Sequence, residues 1–189
     1  MKSIHVVPIG SIQEDVLNEI SIGLWNVFGF EITLCPSLPH PDYAFDHHRK
    51  QYSSVMILSE MQKLYSPDMV KLLGVTEGDL FIPMLNFVFG HAQLHGVFAV
   101  ISLARLKQQF YNLPENREVL LARAVKEAVH EIGHTFGLIH CSNRQCAMAL
   151  SNTISLVDAK TDELCPTCSI ILEQNTKHIV TINGMEKIK

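Results

Sequence analysis

Residues 128–140 read Ala-Val-His-Glu-Ile-Gly-His-Thr-Phe-Gly-Leu-Ile-His, a stretch otherwise apolar or glycine around His130, Glu131, His134, Thr135 and His140. A helix so apolar is buried, and its buried polar groups must find partners. One metal ion satisfies several imidazoles at once. Residues four apart on a helix differ by about 40° and lie about 6 Å apart along the axis, so His130 and His134 reach one ion from one face. Glu131 projects beside that face, placed to touch a metal-bound water without ligating the metal. On a continued helix His140 would lie about 15 Å beyond His130. Gly137 supplies the break, since glycine adopts the left-handed conformation that ends helices and lets the chain bring His140 back. Three neutral imidazoles leave one vertex of tetrahedral zinc for water, the catalytic pattern. Zinc lowers the pKa of that water to about 7. Glu131 is then the general base, passing the proton to a leaving amine. The expected reaction is metal-assisted hydrolysis of a peptide bond; a set of hydrogen-bonded core histidines is the competing explanation.

Directly after His140 come Cys141, Cys146, Cys165 and Cys168, with four, eighteen and two residues between successive members. Two close pairs separated by a loop is the spacing of a closed four-thiolate zinc site. A redox Cys165-Pro-Thr-Cys168 pair and unrelated core thiols are the alternatives. Cys35 is left over and is expected to be an inert buried thiol.

The elements that position these residues must come from a chain of 189 residues, enough for one domain with a real core. Apolar residues make up 47% and charged residues 18%, which excludes disorder. Fifteen Lys and Arg against nineteen Asp and Glu give a net charge of −4, so nucleic acid and anionic membranes are not expected partners. No stretch approaches the roughly 18 apolar residues of a membrane span, and the first residues lack a secretory apolar region. The expected location is the cytoplasm, where thiols stay reduced and metal ligation is the leading use for clustered cysteines.

Residues 4–7 read as a buried strand. Ser11 and Glu14 form a capping-box pattern before a helix over 12–28, with Val16, Leu17, Ile20, Leu24 and Phe28 at helical spacing. Residues 30–34 give a second strand, 46–64 a second helix and 80–82 a third strand. The apolar runs 85–89 and 97–102 read as a hairpin. Strand–helix–strand–helix–strand order implies parallel pairing with right-handed crossovers, and the hairpin adds an antiparallel strand. Pro114 opens a third helix with core positions Leu121, Val125, Ala128 and Ile132. Residues 141–168 hold few large apolar side chains, and 169–189 carry no readable pattern.

Together the motifs resemble the archaemetzincins, a branch of the metzincin clan of zinc peptidases. The shared residues are the His130–Glu131–His134–Gly137–His140 signature, the following Cys141, Cys146-Ala-Met148 and Cys165-Pro-Thr-Cys168. The segments 85–90 and 126–130 also resemble that family. The resemblance implies an α/β, metzincin-like fold: a twisted mixed sheet, mostly parallel with an antiparallel edge strand, plus helices and a small zinc-clasped C-terminal subdomain. It implies a single catalytic domain over 1–189, with an upper part (1–137) and a lower part (138–189). It assigns His130, His134 and His140 to a catalytic zinc, Glu131 to the general base, Met148 to the apolar floor beneath the metal, and the four cysteines to a structural zinc. The edge strand near residues 87–91 would pair with an extended peptide. All four tyrosines (Tyr43, Tyr52, Tyr65, Tyr111) precede the signature, so none is expected beside the metal as in some clan members. His91 and His95, in or beside the hairpin, are read as exposed loop or strand histidines, with lining the cleft as the alternative, and His40, His47 and His48 as surface. The expectation is a monomeric zinc metallopeptidase acting on peptide or protein substrates; the alternative is a zinc-stabilised binding protein of the same shape with little or no turnover.

Overall fold

The strands β1 (Ser3–Ile9) and β5 (Met69–Thr76) are buried along their whole length and pair in parallel at the centre of the protein. A computed structural model gives the fold; it describes residues 2–185, without the side chains of 178 and 180–185. Beside β1 lies β2 (Glu31–Leu34), and beside β5 lies β8 (Phe98–Ser102), both parallel. The short β7 (Gly90–Ala92) closes the far edge antiparallel to β8, giving the order β2-β1-β5-β8-β7. The expected mixed sheet with one antiparallel edge strand is therefore present.

Side chains alternate across a sheet, and that alternation builds two cores. Ile4, Val6, Leu73, Val75, Ala99 and Ile101 face α1 (Glu14–Phe28) and α3 (Arg117–Thr135). Val7, Ile9, Leu72, Phe98 and Val100 face the shorter α2 (Ser54–Met61) on the other side. Each fully buried Leu, Ile or Val contributes on the order of 2 kcal/mol by leaving water. Below α3 the chain is mostly irregular, apart from α4 (Ile154–Ala159) and α5 (Pro166–Met185).

Several expectations need correction. Ser11 does not cap α1, which begins at Glu14 behind Gln13. Residues 46–64 are not one helix. Phe45–Asp46 (β3) turns back onto Gln51–Ser53 (β4), Asp46 Oδ1 accepts from the amides of His48 and Arg49 to make the turn, and only Ser54 onward is helical. Residues 80–82 do not join the main sheet: β6 (Leu80–Phe81) pairs with β4 in a small second sheet. The third parallel strand is β5, passed over because Lys71 and Gly74 interrupt its apolar run. The first arm of the hairpin is β7 rather than 85–89. Residues 169–185 continue α5.

Candidate active site

Asn116 opens α3 by accepting a hydrogen bond from the Val119 amide, and the helix then runs buried beneath the sheet to Thr135. His130 and His134 project from one face, one turn apart. Gly137, at φ +88°, ends the helix in the left-handed region that favours glycine, and the chain swings His140 back. Donor atoms of all three rings lie within 4.8 Å of one another.

The rings are held by backbone carbonyls. His130 Nδ1 donates to Ala147 O at 2.8 Å and His134 Nδ1 donates to Leu138 O at 2.7 Å. With both Nδ1 positions donating, both Nε2 atoms present lone pairs, and these face each other across 3.1 Å. Two lone pairs repel unless a cation sits between them. Adjacent nitrogens on tetrahedral zinc are about 3.3 Å apart, so the donor set fits that ion. Such carbonyl partners fix the tautomer and orientation of ligating histidines. Burial pushes His130 well below the ordinary histidine range and lowers His134 and His140, with the Lys160 ammonium adding to each; all are therefore neutral donors at pH 7.

Glu131 is buried and lies against the edge strand: a Cβ at Gly90 would sit 2.6 Å from its Oε1. Burial, then the neighbouring Glu127 carboxylate, raises its proton affinity well above the usual carboxylate range, opposed by Lys160. An ionised Glu131 there calls for a nearby cation. Met148, fully buried, supports α3 from below, with its Sδ 2.4 Å from where a Cβ on Gly133 would be.

All three histidines and Glu131 line one cavity of about 600 Å³. Its walls are largely apolar, built from Phe87, Phe89, Leu94, Ile139 and Leu150, and the edge strand β7 forms one side. His91 lines it too, half-buried, with Nδ1 2.9 Å from Ser54 Oγ, so it is not the exposed residue expected. His95, within the β7–β8 turn, is exposed as expected and does not line the cavity. His40, His47 and His48 are exposed as expected, and no tyrosine lines the cavity among the described residues.

The four cysteines also converge, with sulfurs within 4.8 Å of one another and Cys141 and Cys165 3.7 Å apart. Adjacent thiolates on tetrahedral zinc lie about 3.8 Å apart. The Asn143 amide donates to Cys141 Sγ and the Cys165 amide to Cys146 Sγ. The Cys168 amide brings Cys165 down to about 7, while burial pushes Cys146 and Cys168 up. Cys35 is half-buried, far from this cluster and 3.6 Å from His5 Nδ1.

Sequence reasoning missed Glu127 and Lys160. They meet at 2.8 Å, both buried, one turn ahead of Glu131. No motif spacing links them, and 32 residues separate them in the chain.

The model of peptidase family M54 matches residues 39–174. Archaemetzincin from Methanocaldococcus jannaschii is 44% identical over 165 residues, covering 87% of this chain and 89% of that protein. A crystal structure of archaemetzincin from Methanopyrus kandleri superposes with a TM-score of 0.83 at 32% identity, covering 93% of this chain and 96% of that one. Archaemetzincin from Archaeoglobus fulgidus, in a crystal complex with malonate, gives 0.77 at 36% identity, covering 90% and 99%. The chain belongs to peptidase family M54, the archaemetzincin family of zinc metallopeptidases.

Proposed function

We propose that the protein hydrolyses peptide bonds in the cavity beside α3, with Glu131 as general base. In this reading His130, His134 and His140 hold a catalytic zinc, and Cys141, Cys146, Cys165 and Cys168 hold a second, structural one. The observation that carries it is the convergence of three imidazole donors and a buried carboxylate on one cavity wall. When bound, the catalytic zinc supplies a Lewis acid for the scissile carbonyl and acidifies water.

The chain's own groups do the rest. An extended peptide adds to the free edge of β7, whose unpaired backbone groups give it direction and register. The apolar walls exclude bulk water and strengthen the electrostatics inside. Glu131, pressed against Gly90 on that strand, accepts a proton from the attacking water and hands it to the leaving nitrogen. The whole chain works as one catalytic domain, residues 1–137 carrying the sheet and α3, residues 138–189 the floor and the thiolate site.

Metal analysis of wild type and His134→Ala, paired with peptide-library cleavage by wild type and Glu131→Ala, tests this. Two zincs in wild type falling to one in His134→Ala, with cleavage by wild type lost in Glu131→Ala, is the expected result. Two zincs and no cleavage under any condition would overturn it in favour of a binding protein.

A further inference from the structure

Lys71 is a cation in the middle of a buried sheet, only 8% exposed on β5. Burying an ammonium is costly unless its hydrogens find acceptors. Its Nζ donates to Gly96 O at 2.6 Å and to Thr135 O at 2.7 Å, and it lies 4.6 Å from the centre of the Phe136 ring. Thr135 O is one of the carbonyls that the end of α3 leaves without an intrahelical partner, and a cation is favoured at that end of a helix. Gly96 belongs to the turn between β7 and β8. One ammonium thus ties together the central strand, the hairpin turn and the metal-binding end of α3.

Two further contacts tighten the same joint. The His95 amide donates to His134 O at 3.1 Å, so the hairpin turn bonds directly to the backbone of a candidate ligand. The His95 ring covers Gly137, where a Cβ would lie 2.1 Å from its Cε1. Within the same turn, Leu94 reaches the catalytic cavity, and β7 itself carries Gly90 against Glu131. The height of the edge strand over the three imidazoles is therefore set where Lys71 sits.

We propose that Lys71 is a positioning residue: its joint between β5, the β7–β8 turn and the end of α3 fixes the register in which a peptide on β7 meets the metal-binding histidines. This rests on the peptidase reading for its substrate, and on the hydrogen bonds alone for the joint. A displacement of about 1 Å between a bound substrate and its catalytic groups costs up to about 100-fold in rate.

The test compares zinc-loaded wild type, Lys71→Met and Lys71→Arg by amide hydrogen exchange and by peptide kinetics. In Lys71→Met the amides of His95, Gly137 and Leu138 should exchange at least about tenfold faster, while those of β1 and α1 keep their protection. The KM of a cleaved peptide should rise about tenfold, more than kcat falls, and Lys71→Arg, which keeps cationic donors, should recover part of both. A folded Lys71→Met with unchanged exchange at His95, or with loosening spread evenly over the sheet, overturns the proposal. Should Lys71→Met fail to fold, exchange in Lys71→Gln, which loses the cation but keeps a polar side chain, decides: loosening confined to the joint supports the proposal, and even or absent loosening overturns it. If wild type cleaves no peptide, the peptidase reading fails, while the exchange measurement still judges the joint.

Discussion

Two clusters of candidate metal ligands follow each other between residues 130 and 168, and their supports differ. His130 and His134 stand on one rigid helix, their ring nitrogens locked by carbonyls, and the cluster opens onto the cavity. The four cysteines come from loops and the first turn of α5, and none of them lines that cavity. An open cluster on a rigid element suits turnover, whereas a closed one on loops suits holding a fold together. Among the described residues the lower part buries few other large aliphatic side chains, Leu138, Val157 and Leu172. The clusters also touch through the backbone. Ala147, whose carbonyl orients His130, stands between Cys146 and Met148, and the Cys141 amide donates to Met148 O at 2.9 Å.

The sharpest separation of the two clusters comes from Glu131→Gln. It should lower kcat by about 1,000-fold while leaving metal content at the wild-type value, measured by steady-state kinetics and elemental analysis. Loss of metal together with activity would mean that Glu131 belongs to the ligand set, and the division between ligands and base would fall. Next in size is Lys160→Met, which leaves Glu127 buried without its cation. Removing one partner of a buried pair costs about 3–5 kcal/mol, readable by urea unfolding. Replacing both, as Lys160→Met with Glu127→Leu, should recover most of that loss. Failure to recover it would show that the pair does more than hold α3 against the segment after α4.

Cys165→Ser probes the link between the clusters. It removes no imidazole, yet it should cost one zinc and lower kcat/KM by about 10–100-fold, because the loop bearing Ala147 O loosens and His130 loses its orientation. Full activity in a metal-depleted Cys165→Ser protein would make the clusters independent.

Most of the site was legible in the sequence, and the reason is local geometry. His130, His134 and Gly137 obey helix periodicity and helix termination, which act over a few residues. Cys141 to Cys168 obey a spacing that loops of ordinary length can close. The fold was less legible wherever a distant partner decides the outcome. Lys71 reads as a break in a strand until the end of α3 supplies its acceptors. Residues 46–53 stand directly before the helical positions Leu58 and Met61, yet Asp46 turns the chain and Gln51 donates to Asp79 and to Asn86 O, drawing the segment into a small sheet. The stretch 169–185 lacks a clear apolar stripe, and its anchors are Leu172 in the core, Ile179 packed against it, and Asn175, which donates to Phe136 O at 2.8 Å.

Acid should separate the clusters least, and its sign follows from burial. His130 is held well below the ordinary histidine pKa of about 6.5, chiefly by burial. In metal-free protein the unfolded chain therefore takes up a proton near pH 6.5 that the folded chain refuses. The stability contributed by the neutral ring is present above that pH and declines as pH falls below it. The slope for this one residue is at most about 1.4 kcal/mol per pH unit. Urea unfolding of metal-free wild type between pH 7.5 and 5.5 should show the decline, and His130→Gln should show a shallower one. Equal slopes would mean that the ring takes its proton inside the fold, and that burial does not hold His130 neutral. The thiol cluster predicts a trend of the same sign at higher pH: Cys165, brought down to about 7 in the fold against an ordinary thiol value of about 8.5, adds stability as pH rises through that interval. A metal-free Cys165→Ser protein should lose that rise alone and keep the acid decline.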